Sequence, residues 1–201
     1  MNVLELFPTV IGVFKQGVDD LSVVNPLILK ASKVRNIYND TSSDSYLLDH
    51  PELQLLKESL EEFLTQYMEK VLKPSNPNTS IRITQSWANY TGAEEAHHSH
   101  KHRNSVLSGV LYLKVMPSDS ISFKNPRGAL FDVPASEYTP NNSEVWRVGE
   151  LTPGDVLVFP SDIEHYVDNR PEGAHTRISI AFNSFFKGSI GSVEGLSKLY
   201  L

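Results

Sequence analysis

The chain has 201 residues, 40% of them hydrophobic and 21% charged, which are ordinary values for a soluble globular protein of one compact domain. Eighteen Lys+Arg against 24 Asp+Glu leave a formal charge of −6, which argues against nucleic acid or an anionic membrane as the main partner. Zero Cys excludes a disulfide framework, a thiolate zinc site, an iron–sulfur cluster and a cysteine nucleophile.

The opening Met1–Pro8 lacks the basic and continuous apolar stretches of a secretory signal, and no apolar run reaches bilayer length. The expected location is the cytoplasm. Val3–Phe7 and Thr9–Phe14 read as extended. A weak helix is expected after Asn25, with Pro26 near its first position, ending by Asn36 to Asn39. The clearest helix runs from about His50 to Leu72. There Leu53, Leu56, Leu60, Phe63, Leu64, Tyr67 and Val71 recur at three- and four-residue steps, so they share one face. Lys73–Ser80 is a turn-rich connector.

After Ser80 the pattern changes to period two. Strands are predicted at Ile81–Tyr90, Ser105–Lys114, Ser120–Lys124, Ala129–Val133, Glu144–Val148, Asp155–Phe159, His165–Val167 and Thr176–Phe185. Pro, Gly, Asn and Asp clusters mark the turns between them. The fold class expected is mainly β with flanking helices: a double-stranded β-helix, or jelly roll, with N-terminal helices packed on one sheet. Residues 1–80 support the barrel, 81–185 form its core and 186–201 are a C-terminal tail. Asn125–Asn142 has the length and Pro/Gly content of a loop over the barrel mouth.

Six of the seven His fall between 97 and 175, and His97-His98-Ser99-His100-Lys101-His102 is the most informative segment. In an extended strand, side chains two apart point to one side. Their Cα atoms are about 6–7 Å apart, close enough for two imidazoles to meet one ion, whereas His98 and His102 are about twice that apart. The pair is His98/His100 or His100/His102, and His100 belongs to both. Neutral imidazoles suit Fe, Zn, Cu or Ni. A third ligand is offered by His165, which follows the buried-strand run Val156–Phe159, Pro160 and a short loop.

Thr176–Asn183 alternates cleanly. Ile178, Ile180 and Phe182 face one way, toward a core. Arg177, Ser179, Ala181 and Asn183 face a polar space. A buried guanidinium needs an anionic partner, either an internal acid (Asp155, Asp162 or Glu164) or a bound carboxylate that its planar fork matches. Ser179, one pleat away, is placed to bond the same anion.

The ordered set Ser86-Trp87-Ala88-Asn89, His100-x-His102-x-Asn104-Ser105, Leu107–Leu113, Gly154…Phe159-Pro160-Ser161…His165-x-Val167 and Arg177-x-Ser179-x-x-Phe182-Asn183 resembles the Fe(II)/2-oxoglutarate-dependent oxygenases. It looks most like their small bacterial and tailed-phage members. The resemblance implies that His100, His102 and His165 hold Fe(II). It implies that Arg177, assisted by Ser179, holds the far carboxylate of 2-oxoglutarate, and that Tyr112 touches this co-substrate. With O2, such an enzyme hydroxylates a substrate and releases succinate and CO2. The substrate, small molecule or protein, is not readable. Trp87, Tyr90, Trp146 and Tyr166 are candidate contacts, and the oligomeric state, a homodimer included, stays open.

The family's usual triad is two His and one carboxylate. His102 stands where the carboxylate is expected, and Asp162, Glu164, Glu94 or Glu95 are the acids that could supply it. A metal-binding cupin is the main competing expectation, from Gly92, His98-x-His100, Gly154, Pro160, His165 and Asn169. A non-enzymatic jelly-roll interaction module is the other.

Overall fold

The structure is a computed structural model describing residues 1–2, 4–22, 24–128 and 133–201. The elements in chain order are β1 (Gly12–Phe14), α1 (Val24–Lys30), β2 (Lys33–Arg35), β3 (Asp40–Ser42), α2 (Gln54–Tyr67), β4 (Thr79–Thr91) and β5 (His97–His100). They continue with β6 (Leu107–Lys114), β7 (Ile121–Lys124), β8 (Val145–Val148), β9 (Val156–Pro160), β10 (His165–Val167), β11 (Arg177–Ile190) and β12 (Leu199–Tyr200). One large sheet has the order β1-β9-β6-β11-β4-β3-β2, with β12 also on β11, and a four-stranded sheet has the order β5-β10-β7-β8. Every strand pair is antiparallel. This is the jelly-roll arrangement.

Period-two alternation gives the large sheet two different faces. Ala88, Tyr90, Leu111, Val156, Val158, Ile178, Ile180 and Phe182 pack in one cluster with Leu56, Leu60, Leu64 and Tyr67 of α2. Val110, Tyr112, Leu157 and Phe159 point the other way and meet Ile121, Phe123 and Ile163 between the sheets. The expected facing of Ile178, Ile180 and Phe182 is therefore observed, and the helices do cover one sheet. Gly109 lies directly opposite Phe182, and a methyl group placed on it would be 2.2 Å from Phe182 Cζ. A side chain there would displace a fully buried ring.

Several boundaries differ from expectation. The long helix begins as short 3-10 turns at Leu47–Asp49 and Pro51–Leu53 and ends in a π turn at Met68–Leu72. The first helix ends at Lys30, and the residues expected to continue it form the β2–β3 hairpin instead. Thr9–Phe14 is strand only from Gly12. The last predicted strand runs on to Ile190 and pairs with β12. The strand expected at Ala129–Val133 falls, except for Val133, outside the described residues. Gly154, at φ +90°, makes the tight entry to β9, donating its N–H to Tyr112 O at 2.8 Å and accepting from Val18 N at 3.0 Å. No helix among the described residues is long and apolar enough to cross a membrane.

Candidate metal centre

Antiparallel pairing of β5 with β10 sets His100 directly opposite His165. After His100 the chain leaves the strand, turns through Asn104 at φ +57° and returns as β6. In that turn the backbone N–H of His102 donates to Ser161 O at 2.9 Å, which swings the third imidazole back toward the first. Ring centroids are 4.4 Å apart for His100/His165, 5.0 Å for His100/His102 and 5.1 Å for His102/His165. One ring nitrogen from each lies within 4.8 Å of the other two.

Hydrogen bonds dictate which nitrogens converge. His100 Nδ1–H donates to His98 O at 2.7 Å, His165 Nδ1–H donates to Ile163 O at 3.0 Å, and His102 Nδ1–H donates to Asn183 Oδ1. Each acceptor is a carbonyl oxygen, so each Nδ1 carries the proton and each Nε2 keeps its lone pair. His100 Nε2 and His102 Nε2 are 3.1 Å apart. Two bare lone pairs repel at that distance. Two imidazole nitrogens bound at about 2.1 Å to one cation, roughly at right angles, would stand about 3 Å apart. The donor set therefore fits a divalent ion. Burial keeps the imidazoles neutral. It is the largest cause of pushing His100 down to about 4 and His165 down to about 3, and it lowers His102 too, against the Asn183 bond.

The ring of His98 is not part of this trio. It lies 4.9 Å from that of His100, its Nδ1 is buried without a partner, and it supplies the backbone oxygen that orients His100. His97 stacks on His100 at 4.6 Å. None of the acids considered for a carboxylate ligand joins the cluster. Glu164 pairs with Lys124 at 2.6 Å, Glu95 with Arg35, and Asp162 and Glu94 are exposed.

Arg177 is 4% exposed, and its Nη1 donates to Ser120 O at 2.8 Å. It has no acidic partner among the described residues. Asp155, the buried acid that could have neutralised it, instead accepts from Lys15 at 2.6 Å and from the backbone of Gln16 and Thr152. The guanidinium carbon lies 5.1 Å from the centre of the Tyr112 ring. Tyr112 is fully buried, its hydroxyl has no partner, and burial pushes it up to about 12 against the opposing pull of Arg177. Ser179 stands between Tyr112 on β6 and Asn89 on β4, and Asn89 Oδ1 is also buried and unpartnered. A buried cation and orphaned polar atoms side by side form a cradle for a carboxylate.

Two residues of this site had no role in the sequence reading beyond a place in the motifs. Asn183 holds His102 while accepting from Ser108 Oγ at 2.9 Å and donating to Gln85 Oε1 at 3.2 Å. Ser108 continues through Ser161 to Ser105 at 2.8 and 2.7 Å. Asn89 is the other. Both share a face with Arg177, which was the available signal. Of the candidate contacts, Trp87 lies 5.5 Å from the His102 ring, whereas Tyr90 belongs to the helix-side core and donates to Ile28 O at 2.5 Å. Trp146 lines a separate apolar cavity of about 590 Å³ under the N-terminal segment, which none of the three imidazoles lines. A polar pocket of about 350 Å³ does reach His100 and His102.

Residues 85–183 match the family model described as "Putative 2OG-Fe(II) oxygenase". No curated protein matches the chain. Among solved structures, a 2OG-Fe(II) oxygenase-family oxidoreductase from Burkholderia pseudomallei superimposes with TM-score 0.62 at 12% identity, covering 87% of this chain and 83% of that one. HygX from Streptomyces hygroscopicus, with nickel and 2-oxoglutarate bound, gives 0.61 at 11%, covering 88% and 82%. A Pseudomonas putida prolyl-4-hydroxylase gives 0.55 at 12%, covering 87% and 92%. At such identities these likenesses establish the jelly-roll fold.

Proposed function

The chain belongs to the 2OG-Fe(II) oxygenases, oxidoreductases that use Fe(II), 2-oxoglutarate and O2, and on that premise we propose that His100, His102 and His165 hold the iron while Arg177, Tyr112 and Ser179 hold the far carboxylate of 2-oxoglutarate. We assign hydroxylation of a substrate C–H bond, with succinate and CO2 as co-products. The observation that carries this reading is the buried Arg177 charge with no acidic partner among the described residues, beside the orphaned Tyr112 hydroxyl, in the barrel that also gathers three neutral imidazoles.

Bound there, Fe(II) supplies O2 activation coupled to oxidative decarboxylation of the keto acid. The chain's own residues do the rest. His100, His102 and His165 would hold the ion through their Nε2 atoms, three ligands being fewer than iron takes up. Because all three imidazoles are neutral, they would leave the double charge of a bound ion to be offset by the dianionic co-substrate. Arg177 would hold the far carboxylate of that co-substrate with charge-assisted bonds, and the Tyr112 and Ser179 hydroxyls complete its partners. Asn89 is placed to bond the same molecule. The apolar residues between the sheets keep water from the cradle.

Anaerobic titration of the apo protein with Fe(II) and 2-oxoglutarate tests this. A weak visible charge-transfer band is expected only when both are present, and it is lost in Arg177→Ala. Oxygen should then give slow uncoupled succinate, and product mass identifies oxygen-atom transfer once a substrate is found. Tight Fe(II) binding that 2-oxoglutarate leaves unchanged would support a cupin-type metal protein instead.

A further inference from the structure

The polar pocket that reaches His100 and His102 is lined by neither Arg177 nor Tyr112, so it approaches the imidazoles away from the carboxylate cradle. We infer that this pocket receives the substrate, and that the substrate is a small hydroxyl-rich molecule, uncharged or acidic, of the sugar or sugar-acid type. The inference rests on the oxygenase reading and deepens it.

The lining chemistry carries the assignment. The β2–β3 hairpin and the loop after it contribute Asn36, Thr41 and Ser45; β5 and its turn contribute His98 and Lys101; Trp87 supplies the one large ring besides the imidazoles. Among the described residues no aliphatic side chain lines the pocket, which argues against an alkyl chain or a lipid tail as its occupant. Asn36 Nδ2 is spent on Asn39 Oδ1 at 3.1 Å, so its side-chain oxygen remains to accept. The hydroxyls of Thr41 and Ser45 make no hydrogen bond among the described residues, and each can both donate and accept. Such two-way groups match hydroxyls, which also do both. A half-buried indole offers a flat apolar face of the kind that the C–H side of a sugar ring covers.

Charge narrows the class. Lys101 puts an ammonium group at the rim, and among the described residues no carboxylate lines the pocket. Asp40 and Glu95 are engaged by Arg35, and Asp44 by His50. Glu164, the acid near Lys101, is already paired with Lys124. A polycationic substrate would meet a like charge at the rim, whereas an acidic one would meet a partner. A volume of about 350 Å³ sits at the small end of ligand pockets, suited to a metabolite or one terminal unit of a larger glycan.

Saturation-transfer NMR with D-glucose, D-glucuronate, D-glucosamine and octanoate, on apo protein and on protein loaded with Ni(II) and 2-oxoglutarate, tests the assignment. Glucose and glucuronate should take up saturation, with glucuronate binding about two- to five-fold tighter, the size of an exposed ion pair. That advantage should vanish in Lys101→Gln, and both signals should fall at least about ten-fold in Trp87→Leu and clearly in the milder Thr41→Val. Saturation of octanoate or glucosamine in place of the other two overturns the inference. So do no signal from any sugar and signals untouched by both pocket variants. The same samples report Ni(II) and 2-oxoglutarate binding directly. Protein that takes up both but no sugar sinks the substrate class alone, whereas protein that takes up neither sinks the oxygenase reading.

Discussion

Asn183 reaches His102 at Nδ1, the nitrogen not offered to the trio, and so decides which nitrogen of His102 is free. Replacing it with Leu leaves the Nδ1–H of a buried imidazole without an acceptor and releases the tautomer. Loss of such an orienting partner lowers metal affinity about 10- to 100-fold. Asn183→Asp keeps an acceptor in place and makes the imidazole more basic, so it should bind Ni(II) at least as tightly as the wild type. Calorimetric titration of the two variants against wild type checks this, because a merely structural role would impair both alike. His98→Ala and His102→Ala should also diverge. The first keeps the backbone oxygen that orients His100 and should retain the ion; the second removes a nitrogen from the trio and should lose it on a desalting column. The run of four histidines within six positions showed that an imidazole pair was present and that His100 belonged to it. It did not show whether 98 or 102 completes the pair, because that depends on the turn through Asn104, not on strand alternation. The bond from Asn183 spans 81 residues of sequence and has no local signature.

At the level of elements, the loops around the Arg177 end of the barrel are tied by one buried ion pair. Arg170 donates from Nε and Nη2 to the two oxygens of Asp119 at 2.9 and 3.1 Å, and from Nη1 to Thr91 O at 2.8 Å and His175 O at 2.6 Å. This joins the β6–β7 turn, the end of β4 and the approach to β11, the last of which begins at Arg177. Both side chains are at most 5% exposed. Arg170→Ala strands a buried carboxylate and should cost about 3–5 kcal/mol in urea unfolding. Arg147→Ala, at the exposed pair with Asp168, should cost no more than about 1 kcal/mol. Strand identities were legible wherever alternation was long, as in β4 and β11. The β2–β3 hairpin was not. Its strands have three residues each, rich in Lys, Arg and Asp, and they are ordered by pairing against β4, not by any pattern of their own.

Across the whole molecule, the buried imidazoles link stability to acidity. Their folded values, about 4 for His100, about 3 for His165 and about 2 for His97, all lie below the ordinary 6.5. Above pH 6.5 neither folded nor unfolded chain protonates them, and their neutral burial carries no proton penalty. As the pH falls below 6.5, the unfolded chain takes up protons first, so unfolding becomes progressively easier, to about pH 4 on account of His100 and further still on account of His165 and His97. Carboxylates held low, such as Asp44 and Asp155, add their own loss below the usual carboxylate range. The melting temperature of metal-free protein in chelator should therefore drop from pH 7 to pH 4.5; a rise over that interval would contradict the burial of these rings.

Because each imidazole already has its outer N–H bound to the chain itself, the cage needs no rearrangement to close on an ion. A preassembled all-nitrogen socket follows the general rank of divalent metals, in which copper, nickel and zinc outcompete ferrous iron. Selectivity then belongs to the cell's supply of free metal and not to the socket. On the proposed iron site, mismetallation is thus a hazard of the socket itself, and freshly isolated protein should carry whichever ion its host leaves most abundant.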